Sequence, residues 1–403
     1  MNPKQRILEL TEYAITRVPR HELSEADAKR LWERHSARIA VDAPSFKNGH
    51  TWELRPLGYV GFVPVSDTLA LRLAPKVPLR TLFGMMECAY RIDAEWLTGS
   101  FDASTLDEFY ERLAMILARR VLDRARRGLY REYVAESDRL PYVRGAMDVR
   151  DLVRRPAATT VQCDYHEHSA DVFENRLLAW TLFGIAKGGL CTDRVRPTVR
   201  RAFHALQGGV TLQPHRARQC LGRSYHRLNE DYRPMIALAR FFLEHAGAAH
   251  KPGEHEMLPF LVEMNRLFEQ FVTIWLQTHL PPHLELKDQE QFRIGADGEL
   301  TFRVDMVVRE VATGRARLVL DAKYKLPGPP STDDVHQAVA YAEATGCGTA
   351  VLVLPGATTN TFIGHIGRIQ VRTLAFDLSR PIEEAGRDFM EQVLTVCKTV
   401  QPS

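Results

Sequence analysis

Apolar positions recur every three or four residues in some stretches of the chain and every second residue in others, and this divides it into elements. SEADAKRLWERHSARIAV (24–41) opens on a Ser cap and reads as a helix. Between 52 and 77, WELRPLGYVGFVPV and TLALRLAPKVPL alternate and are broken by Gly58, Gly61, Pro64 and Ser66-Asp67, which predicts a small β-rich module. Helical periodicity returns over 79–97, 105–135 and 171–187, and HKPGEHEMLP interrupts the pattern near 250. Beyond it, 260–279 predicts an apolar helix built on Leu261, Met264, Leu267, Phe268, Phe271 and Trp275. Strands are expected at 287–294, 301–311 and 316–325, and a helix from Ser331 to 344. GTAVLVLP then reads as a strand buried on both faces. A last strand over 367–375 and a helix over 381–399 complete the pattern. The order αβββαβ predicts an α/β domain with a mixed sheet, preceded by a β-rich and helical N-terminal region. The expected divisions are 1–160, a helical arginine-rich connection over 161–250, and 251–403.

One predicted strand is unusual. In LVLDAKYKL (318–326), Val319, Asp321, Lys323 and Lys325 fall on one face and Leu318, Leu320, Ala322 and Tyr324 on the other. The preceding strand, TFRVDMVVREV, puts Arg303, Asp305, Val307 and Arg309 on one face. A three-residue loop, Ala312-Thr313-Gly314, suits a type I turn closed by a left-handed glycine. It would pair Val311 with Arg315 and set Asp305 opposite Asp321. Cross-strand Cβ atoms are about 4.5–5.5 Å apart, where like charges repel unless a cation joins them. Hard divalent ions such as Mg²⁺ take oxygen ligands of this kind. Lys323 points the same way, suited to holding water or steadying charge on a phosphate. A lone D-x-K triplet is more often a solvated ion-pair ladder. Here a second acid faces it, Glu269 lies on a helix upstream, and Gln337 and Tyr341 share a helix face downstream.

A helical Glu, an Asp on one strand and D-A-K on the next resemble the PD-(D/E)XK nuclease superfamily, whose restriction-endonuclease-like fold is a mixed sheet. Glu269, Asp305, Asp321 and Lys323 match its positions, with Val304 where Pro often stands. Gln337 and Tyr341 resemble the Q-x-x-x-Y element of its RecB-like branch. Over 7–375 the likeness narrows. ILELTEY (7–13), YVGFVPV (59–65), LRLAPKVPLRTLFGMMECAY (71–90), FENRLL (173–178) and MNRLFEQFV (264–272) are similar to the McrC family, the nuclease subunits of McrBC-type restriction systems. The resemblance implies Mg²⁺-dependent DNA cleavage, with Mn²⁺ as a substitute. Asp305, Asp321, the Ala322 carbonyl and Glu269 would hold the metal, and Lys323 would act on water and phosphate. It also implies an AAA+ GTPase (McrB-like) ring as partner, binding the GTP that this chain does not, with the N-terminal half docked on it through part of 52–77. The competing readings are a non-catalytic activator of an AAA+ NTPase, a stand-alone DNA nuclease of the same superfamily, and a DNA-binding structural protein.

Composition adds limits. The chain has 403 residues and a net charge of only +3, so a nucleic-acid surface must come from local clustering. Such a cluster lies at 194–240, with ten arginines, no lysine and two acids. Arg200, Arg201, Arg216, Arg218, Arg223 and Arg227 are its candidate phosphate contacts, against the reading of a solvated face. Six cysteines form no C-x-x-C pair, which fits a reduced cytoplasmic compartment. No signal region or apolar run of membrane-spanning length is present, so no membrane role is expected. His166 and His168 share a side if extended, but no third zinc ligand is evident. There is no G-x-S-x-G and no G-x-x-x-x-G-K-[ST] loop, so the chain does not power translocation itself.

Overall fold

The computed structural model describes residues 6–91, 105–155, 157–189, 191–245, 260–294, 300–325, 330–357 and 362–399. In chain order the N-terminal elements are β1 (Arg6–Thr11), β2 (Thr16–Val18), α1 (Glu25–His35), β3 (Ile39–Asp42), β4 (Trp52–Pro56), β5 (Tyr59–Pro64), β6 (Leu69–Ala74) and α2 (Leu79–Tyr90). The middle holds α3 (Leu106–Arg127), β7 (Glu132–Leu140), β8 (Ala146–Met147), α4 (Val149–Arg154), β9 (Val161–Ser169), α5 (Phe173–Lys187), α6 (Arg196–Gln207) and α7 (Tyr232–His245). The C-terminal elements are β10 (Phe260–Glu263), α8 (Met264–His279), β11 (Leu284–Ile294), β12 (Leu300–Glu310), β13 (Ala316–Ala322), α9 (Thr332–Thr345), β14 (Thr349–Pro355), β15 (Ile363–Ile366), β16 (Ile369–Phe376) and α10 (Ile382–Thr399).

The chain forms two compact units, Asp107–Leu258 and a two-segment unit of Asn2–Leu106 with Pro259–Ser403. These differ from the divisions 1–160, 161–250 and 251–403 expected from sequence. The reason is a pairing invisible to local pattern. Residues 260–263, expected as the first turn of a helix, form β10 and pair antiparallel with β5, Phe260 against Phe62 and Glu263 against Tyr59. Gly61 makes this possible: a Cβ there would meet the Phe260 carbonyl oxygen at 2.0 Å.

Other boundaries move for similar reasons. Ser24 does cap α1, accepting from the Asp27 amide, but Ile39–Asp42 leave the predicted helix to pair with β4. The helix expected to 135 stops at Arg127, and Glu132 onward becomes β7, the partner of β9. The part of 79–97 beyond Arg91 lies outside the described residues.

In the two-segment unit the main sheet has the order β11-β12-β13-β14-β16-β15, with β13, β14 and β16 parallel and the rest antiparallel. Ala338 and Ala342 of α9 pack on Ala350, Leu352 and Val371, while Phe271 and Trp275 of α8 pack on Phe376 and, through it, Phe389 of α10. Each large side chain so buried contributes roughly 1.5–3 kcal/mol. In the middle unit α5, α6 and α7 pack together, and β7, β9 and β8 form a separate three-stranded sheet. Among the described residues no helix is long and apolar enough to cross a membrane.

Candidate active site

The site lies where β12 and β13 run side by side. Met306 pairs with Leu320, Val307 with Val319 and Val308 with Leu318, and continuing that register sets Asp305 against Asp321. The expected position is reached by a different route. The hairpin closes through the Glu310 amide to the Arg315 carbonyl, not through Val311 and Arg315, so its loop has one residue more than expected. A bulge beyond Val308 sets Arg309 against Ala316, leaves Arg317 as the extra residue on β13, and restores the register. Val307, Val319 and Tyr341 of α9 share one apolar cluster, so Asp305, Asp321 and Lys323 leave the sheet on the α9 side.

Asp321 is 1% exposed, and neither carboxylate oxygen has an aligned hydrogen-bond donor. Lys323 Nζ stands 2.9 Å from its Oδ2, an ion-pair distance without hydrogen-bond alignment. Burial, with Asp305 beside it, pushes the Asp321 carboxyl up against the opposing effect of Lys323. Burial and Glu269 push Asp305 up in the same way. Burial and Asp321 raise Glu269 on α8, while a hydrogen bond from Gln289 opposes them. Burial would lower Lys323, but Asp321, Asp305 and Asp334 outweigh it and keep the ammonium charged.

Supporting side chains fix the geometry. Lys323 Nζ donates to Gln337 Oε1 at 3.0 Å, and Gln337 Nε2 donates to the Tyr341 hydroxyl at 2.7 Å, so the i,i+4 pair on α9 orients the lysine. On the other flank Gln289 Nε2 donates to Glu269 Oε1 at 2.8 Å and its own Oε1 accepts from Arg303 Nε. Gln289 has φ +53, a left-handed backbone that aims its amide at Glu269 and costs a non-glycine residue about 1–2 kcal/mol. Sequence reading passes over Gln289 and places Arg303 on the Asp305 face without giving it a role. The available signal was the polar run Lys287–Gln291, in which a strand loses its alternation. Lys325, on the same predicted face, has a structural partner: it pairs with Asp334 at 2.7 Å beside the Ser331 cap of α9.

The donor set suits a hard divalent ion. Among the described residues no three His, Cys, Asp or Glu side chains gather closely enough to enclose a metal. Mg²⁺ commonly needs only one or two protein carboxylates, the remaining positions being filled by water and substrate phosphate. A buried carboxylate with Oδ1 unpartnered and Lys323 against Oδ2, beside a second acid, fits that requirement, with Asp321, Asp305 and the Ala322 carbonyl as holders and Glu269 at the rim.

The arginine segment belongs to the middle unit and divides in two. Arg223 pairs with buried Glu174 at 2.8 Å and lies over the Phe173 ring, and Arg196 and Arg240 pair with Asp193 and Glu244. Arg200, Arg201, Arg216, Arg218 and Arg227 are exposed, and no ion pair joins them to a described residue. His168 stacks on Tyr133, and no metal cluster forms around it and His166 among the described residues.

A family model of McrBC 5-methylcytosine restriction system components matches residues 54–355. No curated protein matches the chain. A chain of the Thermococcus gammatolerans assembly of McrB AAA+ hexamers with bound McrC is 20% identical, with a TM-score of 0.58 over 97% of this chain and 100% of that one. A chain of the Thermococcus gammatolerans McrBC complex is 20% identical, with a TM-score of 0.47 over 67% of this chain and 87% of that one. The first likeness shows a shared fold, and the family match spans both flanks of the middle unit and all four clustered residues. The chain therefore belongs to the family of McrBC 5-methylcytosine restriction system components, in keeping with the resemblance of its motifs to McrC sequences.

Proposed function

We propose that this chain is the DNA-cleaving subunit of a McrBC-type restriction system, with a PD-(D/E)XK site that hydrolyses phosphodiester bonds. The observation that carries the reading is Asp321: a carboxylate buried beside a second acid, Asp305, with the Lys323 ammonium 2.9 Å from Oδ2 and no hydrogen-bond partner on Oδ1. A purely structural aspartate would be satisfied by donors. The divalent ion, when bound, supplies positive charge to the scissile phosphate and acidifies a water molecule. Asp321, Asp305 and the Ala322 carbonyl would hold it, and Glu269 would accept a hydrogen bond from water beside them. Lys323, held by Gln337, donates to the oxygen on which negative charge develops.

The partner in this reading is an AAA+ GTPase ring of the McrB kind; the assembly whose chain shares this fold contains McrB AAA+ hexamers. DNA is the substrate, 5-methylcytosine DNA is the first probe, and the compartment is the cytoplasm. The non-catalytic activator is disfavoured because it has no use for an unsatisfied buried acid. The test is cleavage of methylated DNA with Mg²⁺ or Mn²⁺, with and without the ring protein and GTP. Asp321→Ala, Asp305→Ala and Lys323→Ala should each abolish cutting while the ring still binds. Normal cutting by purified Asp321→Ala would overturn the assignment.

A further inference from the structure

Residues of four sequence motifs meet at one point of the two-segment unit behind the Asp–Asp–Lys face. Glu12 and Tyr13 follow β1, Lys76 follows β6, Asn265 lies in the first turn of α8, and Tyr324 follows β13. The Tyr324 hydroxyl donates to Glu12 Oε2 at 3.3 Å, and the Lys76 amide donates to the same oxygen at 3.4 Å. The Tyr13 hydroxyl donates to Asn265 Oδ1 at 3.4 Å, and the Lys76 ammonium lies 4.3 Å from the centre of the Tyr13 ring. Gly58 lets Tyr13 come this close, since a Cβ there would meet its hydroxyl oxygen at 2.4 Å.

Glu12 is fully buried, and its Oε1 has no hydrogen-bond partner. Burial pushes its carboxyl up to about 7 against the Lys76 amide and ammonium and the Tyr324 hydroxyl. What Glu12 holds is the residue next to Lys323. Side chains alternate along β13 and its extension, so Lys323 leaves toward α9 and Tyr324 toward α8, where its ring lies 5.8 Å from that of Phe268. The backbone at Lys323 is held by its amide, which donates to the Val353 carbonyl at 2.9 Å. Gln337 thus grips the strand end from one face and Glu12 from the other.

We propose that Glu12 is a positioning residue that acts through Tyr324 to fix Lys323, making the N-terminal segment a working part of the nuclease site. This rests on the nuclease reading above. The experiment uses the full chain with its ring partner, comparing Glu12→Met, Glu12→Gln, Tyr324→Phe and the Glu12→Met/Tyr324→Phe double variant. Glu12→Met should cut roughly ten- to a hundredfold more slowly at saturating DNA, with KM unchanged, because small misplacements of a catalytic group cost that much. The double variant, in which the Tyr324 hydroxyl is not stranded, should keep a Tm near the wild type while cutting as slowly as Glu12→Met. Glu12→Gln, which keeps the acceptor, should restore most of the rate. The double variant should be no slower than the slower single one. Hydrogen exchange at the Lys323 amide, which needs no catalysis, should quicken in Glu12→Met and stay slow in Glu12→Gln. Wild-type cutting and exchange in Glu12→Met, or a rate loss in the double variant that follows a falling Tm, would overturn the proposal. Asp321→Ala runs alongside: if it cuts like the wild type, the nuclease reading fails, and the exchange result alone decides whether Glu12 positions the strand.

Discussion

Asp171 in the middle unit and Asp321 in the two-segment unit are both aspartates near a strand end, and their surroundings are opposite. Asp171 receives Arg176 Nε at 2.8 Å and a second Arg176 nitrogen at 3.1 Å, plus the Thr211 amide and hydroxyl at 2.7 Å each. Burial alone would raise its carboxyl, but these donors overcome it and hold it down at about 2. Asp321 has Lys323 alone at ion-pair distance, 2.9 Å from Oδ2, and burial raises it to about 6 against that lysine. The first acid is satisfied by its own chain and serves the fold. The second is only half satisfied by its own chain, with Oδ1 left without a partner, which suits a group reserved for something the chain does not contain.

The sharpest way to break the contrast is to remove each acid and measure cleavage. Asp321→Ala should lose at least roughly a thousandfold in single-turnover rate, the several kcal/mol a metal site supplies. Asp171→Asn should cut at the wild-type rate wherever it remains folded.

Stability should respond in the reverse direction. Asp171 is depressed, so its contribution is present above the unfolded value near 4 and is lost as pH falls through about 2. Asp171→Asn should therefore cost about 2 kcal/mol at neutral pH and nothing below pH 2. Asp321 is raised, so the stability its proton confers is present below about pH 4 and lost as pH rises through about 6. Metal-free Asp321→Asn should be more stable than the wild type at pH 7, by roughly 2 kcal/mol, with the gap closing toward pH 4. Denaturant titrations across pH read both signs, and equal slopes for the two variants would erase the distinction.

The contrast extends to the arginines of the middle unit. Neutralising Arg200 and Arg201 with Gln should flatten the dependence of log Kd for DNA on log salt by roughly 0.9 per lost phosphate contact. Neutralising Arg223 should instead lower stability by stranding buried Glu174. An unchanged slope for the Arg200/Arg201 variant would return that face to solvent. The smallest effect is expected at Gln289. Gln289→Gly should relieve about 1 kcal/mol of left-handed strain while loosening Glu269, so Tm rises slightly as cleavage drops a few-fold.

The residues of the candidate site were legible in the sequence because much of their arrangement is short-range. Period-2 alternation alone puts Asp321 and Lys323 on one face, and four-residue spacing puts Gln337 beside Tyr341. Placing Asp305 opposite Asp321 was a less secure success. The hairpin loop is one residue longer than its Gly314 ending suggested, and the bulge at Arg317 cancels the error. A bulge answers to the packing of both strands, which a turn signature does not encode.

The sequence by itself determined the periodicity of the elements, the Ser24 and Ser331 caps, and the residue types of the site, since each depends on neighbours within a few positions. Only the tertiary structure decided that Phe260–Glu263 is a strand on β5, that Gln289 turns left-handed to hold Glu269, and that Glu12 reaches Tyr324. Those contacts join residues 20 to 312 positions apart along the chain, and their energy comes from burial and hydrogen bonding that exist only once both partners are folded.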